Sequence, residues 1–203
     1  MVIWKNVVIK YVIFKVLIMK IAITGGKGFI GKWFLRLLPD DFDAIVLSRN
    51  SKDKNLVINK RTFEIVNTDY SVNNLIEIFK SCDAVLHLAA ERSFSKNNCF
   101  SNVILDYNIF NSCAICDIKN IIFASSRIVY NNNKETPWVE GKHEKPKNEY
   151  AIAKRLSEIA ADYFNENKNL NIKSLRFAQV LGWGEYEKSL ITTFIKNALE
   201  NKP

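Results

Sequence analysis

A short apolar stretch that runs directly into a glycine-rich turn limits how this chain can fold. Residues 20–24 read as a buried β-strand, the sequence TGGKGFIG then spans Thr24–Gly31, and a helical pattern follows. Gly26, Gly28 and Gly31 have the GxGxxG spacing. Glycines let the backbone turn tightly and approach a pyrophosphate, and the N-terminus of the next helix offers it unpaired N–H groups. We therefore expect a dinucleotide-binding unit; the alternative is a glycine-rich turn that binds no ligand.

Short β-rich runs and longer helical patterns alternate along the rest of the chain. Several runs are apolar throughout, as in Ala84-Val85-Leu86, which is the composition of strands covered on both faces. Strands are predicted at 20–24, 43–48, 62–67, 83–88, 120–125 and 171–177, and helices at about 28–38, 71–81, 100–117, 148–167 and 187–200. This alternation predicts an α/β fold of the Rossmann type, a doubly wound parallel sheet flanked by helices.

Composition and charge exclude several classes of protein. Of the 203 residues, 48% are apolar and 25% are charged, the balance of a soluble globular chain and not of a disordered or fibrous one. The formal net charge of +8 would suit a nucleic-acid partner. However, four lysines and no acid fall within the first twenty residues, and the remainder is only mildly basic. We therefore expect no nucleic-acid partner.

The four cysteines are too few and too scattered for a disulfide framework, and reduced thiols suit a cytoplasmic protein. Cys113 and Cys116 form a CxxC pair, which could be redox-active or half of a zinc site. There is no second CxxC, and His87 and His143 are the only histidines. Because the pair lies in an amphipathic helical pattern, we interpret these thiols as packing groups and predict no metal site.

Residues 1–18 differ from the chain that follows them. The segment is apolar and β-branched, with Lys5, Lys10 and Lys15 spaced so that no apolar run exceeds four residues. A membrane-spanning helix needs about 20 apolar residues, and a secretory signal needs one continuous apolar block. The segment is either an added strand or surface-seeking extension, or upstream sequence before a natural start at Met19. We favour the second interpretation and expect no membrane anchor.

The segment after the second predicted strand bears on the choice of cofactor. An NAD site normally places an acid here to accept hydrogen bonds from the adenosine ribose. Ser48 offers no carboxylate, whereas Arg49, with Lys52 or Lys54 nearby, could pair with a 2′-phosphate. The pattern favours NADP over NAD, with a solvated basic loop as the alternative. After the third strand, Asp69 could accept from the adenine amino group, or it could belong to an ordinary surface turn.

The candidate catalytic groups follow the fourth and fifth strands. His87 ends the fourth strand and is interpreted as a hydrogen-bonded structural residue, and the small residues of Leu88-Ala89-Ala90 keep a crevice open for a nucleotide. Ser126 ends the fifth strand. Tyr150 and Lys154 are four residues apart, so they share one helical face. An ammonium lowers the pKa of a neighbouring phenol. Tyr150 could therefore act as a general acid/base while Ser126 donates a hydrogen bond to the same oxygen.

Together these segments resemble the extended short-chain dehydrogenase/reductase family, the NAD(P)-dependent nucleotide-sugar epimerase/dehydratase group, from residue 19 to about residue 203. Three segments match written family patterns: TGGKGFIG, with its Phe29-Ile30 pair, matches TGxxGxxG; the SSRIVY of Ser125–Tyr130 matches SSxxVY; and Leu175-Arg176 begins the segment that usually reads LRxxNVYGP. Asp69, the HLAA of His87–Ala90 and Asn102-Val103 also occur where the family has them. Glu140 and Pro146 precede the Tyr150/Lys154 pair, as in the family's E…P…YxxxK pattern.

The resemblance implies hydride transfer between nicotinamide C4 and a carbon of a nucleotide sugar. It assigns proton transfer to Tyr150, orientation of the substrate oxygen to Ser126, and the nicotinamide ribose to Lys154. The cofactor-binding residues it implies are Thr24, Gly25, Gly28, Phe29, Ile30, Gly31, Ser48, Arg49, Asp69, Leu88, Ala89, Ala90, Asn102, Tyr150 and Lys154, and the substrate-binding residues are Ser126 and Gln179. It also implies a homodimer that uses the helices at 100–117 and 148–167.

The sequence departs from the family pattern near the substrate. Gln179, Leu181 and Trp183 replace the Asn, Tyr and Pro of NVYGP, which affects contacts to a substrate diphosphate, and Asn131 replaces the glycine after the VY pair. Arg127-Ile128 stands where the 4,6-dehydratases carry Asp-Glu, which argues against that reaction.

The resemblance also divides the chain. Family members continue into a C-terminal portion that builds most of the sugar-nucleotide pocket. We therefore expect an NAD(P)-binding Rossmann domain over 19–180 and the start of an incomplete substrate-binding region over 181–203, with most of that portion missing. The alternative function is a truncated or non-catalytic NAD(P)-binding module.

Overall fold

The computed structural model describes residues 18–91, 99–130, 136–142, 144–182, 184–185 and 190–202. In chain order the elements are β1 (Met19–Thr24), α1 (Phe29–Leu37), β2 (Phe42–Ser48), β3 (Asn55–Ile58), β4 (Arg61–Asn67), α2 (Val72–Phe79), β5 (Ala84–His87), α3 (Ser101–Ile115), β6 (Asn120–Ser126), a 3₁₀ helix (Arg127–Tyr130), α4 (Glu149–Lys168), β7 (Asn171–Phe177) and α5 (Leu190–Leu199). Residues 1–17, Asn131, His143, Trp183 and the start of the helix predicted at 187–200 lie outside the described residues.

Seven strands form one sheet in the order β3-β4-β2-β1-β5-β6-β7. The central strand, β1, pairs in parallel with β2 on one side and with β5 on the other, so that Ile23 lies between Val46 and Leu86. The β2–β4, β5–β6 and β6–β7 pairs are also parallel, and β3–β4 is antiparallel. The direction of strand order reverses between β1 and β5. Ligands of open parallel sheets bind outside the carboxyl ends of the strands at such a point.

The central strands are buried on both faces. Alternate side chains of β1 enter two apolar clusters: Ala22 packs in one with α2, α3 and α4, and Ile21 and Ile23 pack in the other with α1. In the first cluster the ring of Phe110 makes edge-on contacts with Phe123 at 5.5 Å and with Phe164 at 6.0 Å between ring centres. Burial on both faces explains why these strands read as continuous apolar runs.

The Rossmann-type fold is confirmed. The six predicted strands and the first four predicted helices match observed elements within two residues at each end, and the fifth predicted helix ends within one residue of α5. β3 was not predicted. It forms a hairpin with β4 through Asn59 and Lys60, both at positive φ (49° and 66°), the pattern of a type I′ turn. The Asn-Lys pair lacks the glycine that usually marks such a turn, and four half-exposed residues give little periodicity to detect.

The cysteines behave as apolar groups in the described part of the chain. All four are free thiols, and Cys113 is fully buried in the first cluster, beside Phe110. Burial raises the pKa of Cys82, Cys113 and Cys116, which disfavours the reactive thiolate. Among the helices of the described ranges, none combines the length and apolarity required to cross a membrane.

Candidate active site

The glycine turn between β1 and α1 brings its backbone close to the start of the helix. Gly25 takes a φ of +71°, and the N–H of Gly28 donates to its carbonyl at 2.9 Å. A Cβ on Gly31 would lie 2.5 Å from the Gly25 oxygen, closer than real contacts allow. The start of α1 is therefore packed directly against the turn. Because Gly28 is the N-cap residue, no capping side chain covers the first N–H groups of the helix, and these groups can bind an anion.

Thr24 fixes the floor of the crevice next to this turn. Its Oγ1 accepts from the N–H groups of Leu88 at 3.1 Å and Ala89 at 3.0 Å, so its own proton is directed to Nδ1 of His87 at 2.6 Å. His87 Nδ1 is then an acceptor, and Nε2–H donates to Oδ1 of Asp106 at 2.7 Å. The predicted structural role of His87 is confirmed, because the ring is fully buried and both nitrogens are bonded.

The crevice has an outer part beyond β2 and β4. A cavity of about 530 Å³ is lined there by Gly25, Ser48, Arg49, Asp69 and Asn102. Asp69 Oδ1 accepts from the N–H of Ser71 at 2.8 Å, and this bond holds the pKa of the exposed carboxyl below its ordinary value. The predicted groups of the adenosine end therefore share one cavity.

Asn102 has a second use that the sequence did not indicate. Its buried side chain accepts from the N–H of Glu91 at 2.7 Å and donates to the Glu91 carbonyl at 2.9 Å. This paired contact ties the chain after β5 to the first turn of α3, and so shapes the cavity as well as lining it.

A second cavity, of about 750 Å³, extends from the glycine turn to the ends of β6 and β7. Ser126 and Tyr150 line it together with Phe29, Ile30 and Gln179. The Oγ of Ser126 accepts from the N–H of Ile128 at 3.3 Å. Tyr150 stands in the first turn of α4, where the Asn148 side chain caps the helix by accepting from Ala151 N at 2.8 Å.

Lys154 is not among the residues that line either cavity. Its side chain is 1% exposed, and Nζ lies 3.8 Å from Oδ2 of Asp106 and 4.4 Å from the ring centre of Phe123. Burial lowers the pKa of Lys154, and Asp106 offsets part of that effect. The structure thus brings Ser126 and Tyr150 to the crevice, whereas the Lys154 ammonium is buried against Asp106 and Phe123.

Asp106 is a charged residue at this site that the sequence reasoning missed. Asn102, Asp106, Ile109, Phe110 and Cys113 form the buried face of α3 at helical spacing. An acidic residue within this apolar helical pattern was the sequence signal that could have identified Asp106.

A second missed cluster surrounds Arg176 at the end of β7. Its guanidinium contacts Glu158 at 2.8 Å and Glu144 at 2.7 Å and stacks on the ring of Tyr130 at 4.6 Å. Hydrogen bonding to Glu158 is the main cause of the raised pKa of Arg176. The cluster fixes the segment that leads to Tyr150 against β7. In the described ranges, no group of three or more His, Cys, Asp or Glu side chains could hold a metal ion.

The fold and the crevice at the carboxyl ends of the strands define a Rossmann-type α/β protein. The sequence model of the NAD dependent epimerase/dehydratase family matches residues 21–203, and the chain belongs to that family.

Individual relatives are similar over most of this chain. The solved UDP-N-acetylglucosamine 4-epimerase from Bacillus cereus is 31% identical, with a TM-score of 0.79 over 90% of this chain and 61% of that chain. A double mutant of the dTDP-glucose 4,6-dehydratase from Streptomyces venezuelae, solved with NAD bound, is 25% identical. Its TM-score is 0.78, over 90% of this chain and 63% of that chain.

A Methanocaldococcus jannaschii protein provisionally named a UDP-glucose 4-epimerase is 30% identical over 195 residues, which are 90% of this chain and 64% of that protein. The chain therefore spans less than two thirds of the length of each of these relatives.

Proposed function

We propose that the protein is an NAD(P)-dependent epimerase or reductase that acts on a nucleotide sugar by hydride transfer, with Tyr150 as general acid/base. The observation that carries the proposal is that Ser126 and Tyr150 line the same cavity as Gly25, Gly28 and Gly31. A phosphate-binding turn and a proton-transferring hydroxyl at one crevice suit the oxidation of a substrate alcohol beside a bound dinucleotide. The glycines of the turn and the start of α1, which no side chain caps, fit a pyrophosphate.

The side chains divide the work as follows. The nicotinamide, when bound, accepts or returns the hydride. Tyr150 removes or returns the proton of the substrate hydroxyl. The Lys154 ammonium lowers the pKa of the Tyr150 phenol, because a nearby positive charge favours the phenolate. Ser126 orients the substrate oxygen, since its Oγ accepts from Ile128 and can donate its own proton outward.

The test uses the full chain. Fluorescence titration with NADH and NADPH measures cofactor binding, and a panel of UDP-, dTDP- and GDP-sugars measures turnover. Tyr150→Phe is expected to keep cofactor affinity and to lose about 10²-fold or more in kcat, because the proton carrier is gone. Tyr163→Phe, an exposed tyrosine of the same helix, is the matched control. Unchanged turnover in Tyr150→Phe would contradict the assigned mechanism.

NADP is the cofactor that the proposal favours. Arg49 is exposed at the end of β2 and lines the outer cavity, and Ser48 beside it supplies no carboxylate for a ribose diol. A guanidinium at this place suits a 2′-phosphate.

Cofactor binding without turnover is the second candidate function. It is favoured by the burial of Lys154, which lies against Asp106 and Phe123 and does not line the cavities. Tight binding of NADPH or NADH with no turnover of any sugar nucleotide would support this candidate over the first.

A homodimer is also proposed. Large apolar side chains stand exposed on α3 and α4, among them Ile104, Tyr107, Leu156, Ile159 and Tyr163. Exposed apolar surface of this kind, spread over two neighbouring helices, is typical of a protein interface.

A further inference from the structure

Asp106 carries a buried negative charge that the proposed mechanism does not use. Its side chain is fully buried, and Oδ2 accepts no hydrogen bond from the described residues. The cation nearest to this oxygen is the Lys154 ammonium at 3.8 Å. A buried carboxylate oxygen without such a charge would be strongly unfavourable.

The other oxygen of Asp106 is held in place by a chain of directed bonds. Thr24 Oγ1, anchored by two N–H groups, donates to His87, and His87 donates through Nε2 to Oδ1. The His87 ring thus links Thr24 Oγ1, through Nδ1, to Asp106 Oδ1, through Nε2. The carboxylate is therefore fixed in orientation, with Oδ2 turned towards Lys154.

We propose that Asp106 is the counter-ion of Lys154 and the positioning residue that keeps its ammonium charged, one helical turn after Tyr150 on α4. The inference rests on the proposed function, in which that charge acts on Tyr150. At 3.8 Å the pair is within ion-pair range but is longer than an N–H···O hydrogen bond. The carboxylate thus stabilises the charge without engaging the three N–H donors of the ammonium.

The other charged and titratable groups near Lys154 are accounted for. His87 from β5 is bonded to Asp106, Glu158 on α4 also acts on the ammonium, and Tyr150 lies one helical turn before Lys154 on α4. Glu158 already accepts from Ser125, Arg155 and Arg176, so Asp106 is the carboxylate left for the ammonium. Burial alone would raise the pKa of Asp106, but the contacts with His87 and Lys154 outweigh it and hold the pKa below its ordinary value.

The first experiment needs no enzymatic activity. Urea unfolding at pH 7 is compared for the wild type, Asp106→Asn, Lys154→Met and the double variant. The amide oxygen of asparagine can still accept from His87, so Asp106→Asn mainly removes the charge. We expect Asp106→Asn to lower the urea midpoint clearly when Lys154 is present and much less in the Lys154→Met background. An equal shift in both backgrounds would overturn the proposal.

Folding failure is also informative. If Asp106→Asn does not fold but the Asp106→Asn/Lys154→Met double variant does, the pair is coupled as proposed. If neither folds, Asp106 is needed for His87 and not for Lys154, and the proposal fails.

The second experiment tests whether Asp106 positions a charge that acts on Tyr150 or only stabilises the fold. In Asp106→Asn the pH dependence of kcat is expected to shift, with the acidic limb moving to higher pH by about one unit or more, because a less charged Lys154 leaves Tyr150 less acidic. Asp162→Asn, an exposed carboxylate on α4, is the matched control. An unmoved limb in an active Asp106→Asn enzyme would overturn the positioning role. If the wild type turns over no sugar nucleotide, the proposed function fails, and the unfolding cycle alone then decides whether Asp106 is the counter-ion.

Discussion

Arg49 is where the choice of cofactor can be tested with one substitution. Arg49→Ala is expected to raise the Kd of NADPH by about tenfold or more and to leave that of NADH nearly unchanged, because a charge-assisted bond to the 2′-phosphate is worth about 1.5–3 kcal/mol. Fluorescence titration measures both constants. Arg36→Ala on α1, whose guanidinium stacks on Trp33 at 4.5 Å, is the control. A loss of equal size for the two cofactors would argue against the 2′-phosphate role.

The Glu144 carboxylate makes the free energy of unfolding depend on pH in the acidic range. Burial alone would raise its pKa, but the Gly141 N–H at 2.8 Å and the Arg176 guanidinium lower the pKa to about 2. A carboxyl with a lowered folded pKa stabilises the fold fully above its unfolded pKa, and the contribution is lost as pH falls through the folded value. Since the side chain is 9% exposed, solvent screens the interaction little.

Glu144→Gln is therefore expected to lower the free energy of unfolding by about 2 kcal/mol at pH 7. The difference from wild type should shrink between about pH 5 and pH 2, where wild type loses the same contribution. Urea unfolding across this range measures it. Glu140 is an exposed acid four residues earlier in the same segment, and Glu140→Gln should change the free energy of unfolding little at pH 7 or at pH 2. A pH-independent difference would mean that packing, not charge, explains the loss.

Single residues with strong local chemistry were predictable from the sequence, and their partners were not. Ser126 and Tyr150 could be placed at the crevice because each follows directly from a strand end or a helix start. The pairing of Lys154 with Asp106 depends on how α3 packs against α4, and spacing along the chain does not encode that packing. The same holds for Arg176, whose acids come from two separate segments.

At the scale of elements, the join between the glycine turn and α1 tolerates almost no added volume. Gly31→Ala gains up to about 1 kcal/mol in helix propensity, but its Cβ would meet the Gly25 oxygen and Gly26 Cα at 2.5 Å. Backbone atoms cannot move aside, so α1 must shift away from the turn. We expect net destabilisation of about 1–3 kcal/mol and a large loss of dinucleotide affinity.

Thermal unfolding and cofactor titration measure the two effects of Gly31→Ala. Lys32→Ala, an exposed neighbour in the same helix, should change neither. Wild-type affinity in Gly31→Ala would show that the start of α1 takes no part in binding.

Elements with strong periodicity or full burial were predictable, and weak ones were not. The apolar runs of β1, β5 and β6 and the long pattern of α4 match the structure closely. β3 escaped prediction because it has four residues, one solvent-exposed edge and a turn without glycine. Its stability comes from pairing with β4, a contact that local propensity does not report.

At the scale of the whole molecule, the exposed apolar residues of α3 and α4 predict an assembly. Ile159→Asp is expected to convert a dimer to a monomer, because Ile159 is 51% exposed at the centre of α4 and a buried unpaired charge would disfavour association. Light scattering during size-exclusion chromatography measures the mass. Leu37→Asp on α1, on the other face of the sheet and 73% exposed, is the control. A monomeric wild type at micromolar concentration would rule out this dimer.

The position of β1 at the centre of the sheet has a consequence for synthesis on the ribosome. Its first partner, β2, follows after one helix, but the second, β5, begins at Ala84, and the bond from Lys20 N to the Asp83 side chain spans 63 residues. Until β5 emerges, one edge of an almost wholly apolar strand has no partner. Contacts of such sequence separation form slowly. During that interval of synthesis the open edge of β1 can pair with other chains, so we expect the nascent chain to be prone to aggregation until β5 is available.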